Sequence, residues 1–412
     1  MDILIEGARL AFDEGIEPGS VRVRDGRIAE LARGSEPLPL SGDAGPAMVG
    51  GTTGGVPATI VDARGFVLAS GFIDLHCHGG AGADVNDATD EAYARLAEYH
   101  RSRGVTAFAP SLSVDPLPVL ERAFDVVRRA KRENAPGKTE NLGAHFESPY
   151  INPRFKGCQA AERLLPFDAE ALALIKRNAD AIARITVAPE LEGVMEAIPL
   201  LRELGLVVSG GHSDADAAAF RAAADRGMTM ATHLYNAMSS VRKEGPFRVP
   251  GVLEAALVDD RIYAELIADG KHVPAELVRI ALRCKGEDRF LICSDASRAA
   301  GMTGEGPIYV CGQEVVVVDG AAMLKDRSSL ASSATALDGM VRWLVRGAGF
   351  TLHQALRAAS AVPAAAIGVA GRKGRLAVGY DADLVLLDED LQVRAVWCKG
   401  VGGFLGEAAA RT

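Results

Sequence analysis

The chain has 412 residues, more than one compact core usually holds, so a large domain with a smaller companion is expected. Nearly half the residues are apolar and 24% are charged, which fits an ordinary α/β globular protein and excludes disordered and fibrous classes. A net charge of −9 speaks against a nucleic-acid partner, because a phosphate-binding surface needs a basic excess.

The first residues, MDILIEGARLAFDEG, carry acids and strand-like alternation where an export signal has a basic end and an apolar run, so a cytoplasmic protein is expected. Residues 1–65 read as short strands, Ile3–Leu10 and Ser20–Glu30, with a turn signal at Asp25-Gly26. Residues 38–58, rich in Gly, Pro and Ala, read as a loop. From residue 66 apolar runs alternate with longer amphipathic stretches, the pattern of repeated βα units. The strand candidates are Phe66–Asp74, Val105–Pro110, Leu142–Glu147, Arg184–Ala188, Leu206–Gly210, Met228–His233, Ile262–Ala268 and Phe290–Asp295. Glu91–Arg103 and Ala215–Asp225 are among the helices between them. Eight such units close a (β/α)8 TIM-type barrel, expected over 66–369. Arg375–Leu387 and Val393–Lys399 are again strand-like, so 1–65 and 370–412 are expected to join as a small β-sandwich domain. No run approaches the ~18 apolar residues of a membrane span, so no membrane partner is expected. The six scattered cysteines fit reduced thiols rather than a disulfide framework.

Five of the eight histidines fall at or just beyond a strand's C-terminal end: His76, His78, His212, His233 and His272. Glu147 closes the third strand and Asp295 the eighth. In a parallel barrel these ends converge on one mouth, so distant residues become neighbours there. Imidazole and carboxylate are donors that zinc and similar ions accept, and the x in His76-x-His78 lets both rings lie on one side of a strand. Asp295 is placed to take a proton from an attacking water and return it to a leaving amine.

Nine stretches carry a wider likeness: GFIDLHCHGG (71–80), HFESPYIN (145–152), APE (188–190), GHSDA (211–215), THLYNAM (232–238), ADGKHV (268–273), SDA (294–296), LASS (330–333) and GYDADLVLL (379–387). In that order they resemble the N-acetylglucosamine-6-phosphate deacetylases of the amidohydrolase superfamily. The resemblance implies removal of acetate from an amino-sugar 6-phosphate by a cytoplasmic homodimer. It implies that Glu147, His212 and His233 hold a divalent metal and that His76 and His78 create a second position. One or two ions are then expected, zinc first, with iron, cobalt, nickel and manganese as alternatives. It makes Asp295 the acid/base and implies sugar-phosphate contacts from Asn236, Ala237, Arg248 and His272. The chain departs from the family at Ser148, Val249 and Ser332, and at Gln159, where a histidine commonly faces the acetyl carbonyl. Gln159 keeps a hydrogen-bond donor there without a charge. These changes leave N-acetylgalactosamine 6-phosphate or an unphosphorylated N-acyl amine as alternative substrates, and a non-catalytic sugar-phosphate sensor as an alternative of another class.

Overall fold

Runs such as Leu206–Gly210 have no polar face to offer water, and they fold as strands covered on both sides. The computed structural model describes residues 2–34, 38, 59–302 and 307–405. Eight strands run parallel in chain order: Phe72–Cys77, Val105–Leu112, Ala144–Glu147, Ile182–Val187, Val207–Gly210, Met230–Ala231, Tyr263–Ile267 and Phe290–Cys293. The expected barrel is present. Helices cap as their sequences direct: Thr89 accepts the Ala92 N–H at the start of Asp90–Ser102, and Asp216 accepts the Ala219 N–H at the start of Ala217–Asp225.

The seam between the last and first strands is closed both by backbone bonds, among them the His78 N–H to the Ala296 carbonyl at 2.8 Å, and by a side chain. The Asp74 carboxylate accepts the Ser294 N–H at 3.1 Å and the His76 N–H at 3.3 Å, and further along the Asp295 N–H donates to the His76 carbonyl at 2.8 Å. Burial pushes the Asp74 carboxyl up to about 6, against those hydrogen bonds.

The barrel's lining changes along its axis. At one end Ile73, Leu75, Ala107, Ala109, Met230 and Leu291 pack together, and toward the mouth the interior is polar, with Ser111, His145, Arg184, Thr186, Ser209 and Glu265 all buried. The first strand's register slips between Asp74 and Cys77, three steps spanning what Phe108–Pro110 span in two. Such an irregularity reverses which face the following side chains meet. Leu75 packs inside the barrel, Cys77 packs outward with the helices, and His76 and His78 both turn to the mouth.

Sequence reading joined Phe66–Asp74 into one strand, and the structure divides it. Val67–Ser70 belongs to the outer sheet, pairing with Leu384–Leu387, and the chain enters the barrel only after Gly71. Any Cβ at Gly71 would lie 2.2 Å from Thr106, so only glycine permits the crossing there. The expected strand Ser20–Glu30 is likewise two, Gly15–Arg24 and Arg27–Arg33, turning at Asp25-Gly26 with positive φ at both residues. The outer strands make one continuous eight-stranded sheet from both chain ends, folded over Ile5, Leu10, Val21, Leu384 and Trp397. Of the loop expected at 38–58, all but Leu38 lies outside the described residues. Buried Lys373 ties this sheet to the barrel through Asp383, Asp381 and Glu140.

After the eighth strand a four-stranded antiparallel meander, Ile308–Val310, Gln313–Val318, Ala321–Leu324 and Leu330–Ser333, contributes to the barrel mouth. It is anchored to the last barrel strand by the Ser333 N–H and the Ser332 hydroxyl, which both donate to the Asp295 carbonyl. Among the described residues no helix is long and apolar enough to cross a membrane.

Candidate active site

At the mouth a cavity of about 260 Å³ is lined by His78, Glu147, His212, His233, Asp295 and their neighbours. The Glu147 carboxylate stands between two imidazole pairs. Its Oε1 lies 3.2 Å from His212 Nε2, 3.3 Å from His233 Nε2 and 3.5 Å from His76 Nε2, and its Oε2 lies 3.3 Å from His78 Nε2. Nitrogen faces nitrogen within each pair, 3.1 Å between His76 and His78 and 3.0 Å between His212 and His233. Asp295 Oδ1 completes the cluster, 3.4 Å from His78 and 3.5 Å from His76. Six of the seven strand-end side chains suggested by the sequence therefore meet, and the seventh, His272, stands apart from them in the cavity lining.

The electrostatics show what the cluster favours. Burial should raise both carboxyls, yet the surrounding imidazoles outweigh it and hold Glu147 well below the usual carboxylate range and Asp295 below it. Burial should keep the imidazoles neutral, yet the two carboxylates pull His78 and His233 above their ordinary range. A pocket that draws protons onto rings whose Nε2 atoms face one another favours a cation among them. Two overlapping sets, Glu147-His212-His233 and His76-His78-Glu147, could each supply three donors to a divalent cation, with Glu147 common to both.

His212, His233 and Asp295 take φ values of 49°, 31° and 43°, a region side-chain-bearing residues rarely occupy. Such backbone strain clusters at functional sites.

Buried partners orient the rings. His212 Nδ1 donates to the Phe155 carbonyl at 2.7 Å, which leaves Nε2 for the cluster. His76 Nδ1 lies 3.3 Å from Glu265 Oε1, and Glu265 is paired with Arg184, both fully buried. Arg184 also donates to Ser209 and Thr232. His145 is occupied by Ser111 and Thr186, and burial beside Arg184 keeps it well below its usual range.

The residues expected to touch substrate divide into two groups. Asn236, Ala237, His272 and Gln159 line the cavity. His272 Nδ1 is held by Asp269 at 2.7 Å. Gln159, 1% exposed, donates one amide N–H to Glu147 Oε2 at 2.7 Å and accepts the Val114 N–H, so it braces the cluster as well as lining it. Arg248 is not among the lining residues; it lies on an exposed hairpin, Arg242–Glu244 with Phe247–Val249, that follows Asn236-Ala237.

The model of the Amidohydrolase family matches residues 67–402. The chain belongs to the amidohydrolase family. The N-acetylgalactosamine-6-phosphate deacetylase of Escherichia coli O157:H7 is 33% identical over 402 residues, 97% of this chain and 99% of that one. The N-acetylglucosamine-6-phosphate deacetylase of Bos taurus is 36% identical over 354 residues, 82% and 84% of the two chains. The crystal structure of N-acetylglucosamine-6-phosphate deacetylase from Pasteurella multocida superposes with a TM-score of 0.87 at 28% identity, covering 98% of this chain and all of that one. Amidohydrolases are generally dependent on divalent metals, and the donor sets described above suit that requirement.

Sequence reading did not single out Arg184, Glu265 or Asp74. Arg184 and Glu265 sit on apolar barrel strands, where an isolated charge is the available signal: a buried charge needs a partner.

Proposed function

We propose that this amidohydrolase deacetylates N-acetylglucosamine 6-phosphate, giving glucosamine 6-phosphate and acetate in amino-sugar breakdown. The observation that carries the reading is a second carboxylate, Asp295, beside a carboxylate shared by four imidazoles at the cavity. Glu147, His212 and His233 would hold one divalent ion, and His76 and His78 with Glu147 a second; zinc suits these donors. A bound divalent ion supplies Lewis acidity, lowering the pKa of water and polarising the amide carbonyl. Asp295 takes the proton from the attacking water and passes it to the departing sugar nitrogen. Its depressed pKa keeps it ionised, as a base must be at the start. Gln159 holds Glu147 with one N–H, and its second N–H is available to the acetyl oxygen. Asn236, Ala237 and His272 would contact the sugar phosphate, and Arg248, outside the cavity lining, would have to reach it from the exposed hairpin.

The subunits are proposed to pair as a cytoplasmic homodimer. The projecting hairpin, with Phe247 72% exposed, is a natural surface for such pairing.

A second reading follows from the relative named for the galactosamine epimer: the same chemistry on N-acetylgalactosamine 6-phosphate. Turnover of both epimers, each with and without the 6-phosphate, by the zinc-loaded protein separates the readings. Faster turnover of the galacto epimer would replace the substrate, equal rates without phosphate would remove the phosphate contacts, and binding without turnover would leave a sensor.

A further inference from the structure

Beside the metal cluster the cavity wall carries two thiols from segments far apart in the chain. Cys158 lies in the loop after the third barrel strand and Cys311 at the tip of the Ile308–Val318 hairpin, and their sulfurs are 3.4 Å apart. Cys311-Gly312 is the two-residue turn of that hairpin, with φ of 50° and 76°, and Gln313 just beyond it donates to the Cys158 carbonyl at 2.6 Å. The Cys158 loop is also the one that positions the cluster. On one side Phe155 accepts the His212 ring N–H, and on the other Gln159 grips Glu147.

We propose that Cys158 and Cys311 are an oxidation site: a disulfide between them staples the hairpin to the loop and disables the metal pocket. One thiolate attacks a hydroperoxide oxygen, giving a sulfenic acid and releasing water (or, from an organic peroxide, an alcohol). The second thiolate then attacks that sulfur, expelling hydroxide, which leaves as water with the second thiol's proton. A disulfide needs its sulfurs at about 2.05 Å, closer than the 3.4 Å at which they stand, and the bond would tie the hairpin to the loop that carries Phe155 and Gln159. Transient pairing of this kind is the usual role of a disulfide in a reducing compartment. The effect on turnover rests on the hydrolase reading; the bond itself does not.

The test treats the zinc-loaded protein with hydrogen peroxide, zinc being redox-inert. Peptide mapping should recover a Cys158–Cys311 cross-link. Turnover should fall about a hundredfold, the scale of a ~1 Å misplacement of positioning groups, and return with dithiothreitol. Relative to their own untreated rates, Cys158→Ser and Cys311→Ser should resist, whereas a variant lacking the exposed Cys284, Cys284→Ser, should respond like the parent. Absence of the cross-link once Cys284 is fully oxidised would overturn the proposal, as would a cross-linked protein that keeps its turnover. If no tested substrate is turned over at all, the hydrolase reading fails and the peptide map still decides whether the thiols pair.

Discussion

Glu265 offers a way to separate holding the fold from holding the metal. Replacing it with glutamine removes the charge facing His76 Nδ1 and leaves Arg184, fully buried, without a counter-charge. Breaking a buried pair from one side costs about 3–5 kcal/mol; the low end applies here, because Ser209, Thr232 and the new amide still receive Arg184. Loss of the carboxylate behind a ligating imidazole typically weakens metal binding by roughly 10- to 100-fold. Glu265→Gln should therefore melt earlier in the apo form and bind zinc more weakly in a competition titration. Adding Arg184→Met removes the orphaned charge, so the double variant should recover much of the stability while its zinc affinity stays low. If Glu265→Gln binds zinc as the parent does, Glu265 is only a structural counter-ion and the argument is wrong.

Asp295→Asn should keep its metal by elemental analysis and lose about 10²- to 10⁴-fold in kcat, since only the proton transfer is removed; retained turnover would exclude Asp295 as the base. Chelation should abolish activity, and restoring metal at a hundred times its Kd should stabilise the fold by about 2.7 kcal/mol, read as a shift in the urea midpoint. Arg248→Ala should raise KM for a 6-phosphate substrate with little change in kcat and no change for an unphosphorylated one, checked by steady-state kinetics. Glu140 is held down at about 2, because Arg372, Lys373 and Lys399 outweigh its burial. Its contribution is complete above the ordinary value of 4.5 and is lost as pH falls toward 2. Glu140→Gln should thus be less stable than the parent at neutral pH and show a flatter acid limb in pH-dependent melting.

The barrel was legible because parallel strands announce themselves as unbroken apolar runs, and the cluster at the mouth because the strand ends of a parallel barrel converge there. What the pattern did not show is set by long-range geometry. Nothing local distinguishes Val67–Ser70 from the strand after it; the break comes from the crowding of Gly71 against Thr106. The register slip after Asp74, which turns both His76 and His78 to the mouth, is invisible to a period-two reading. Gln159 was legible as a cavity residue, but its grip on Glu147 depends on a loop conformation that no motif encodes. Arg248 kept its place beside the Asn236-Ala237 turn in sequence, while the hairpin carried it away from the cavity lining.

The left-handed backbone at His212, His233 and Asp295 has a consequence for how such a protein can change over time. These side chains do not swing on tethers; their aim is fixed by main-chain torsions in the left-handed region, which His and Asp enter more readily than most residues but at a cost of about 1–3 kcal/mol each. Glycine there would remove the imidazole or carboxylate that each of the three positions brings to the cluster. Selection for heat resistance would find easy gains in letting those three corners unwind, and each gain would blunt the chemistry without altering a single reacting group.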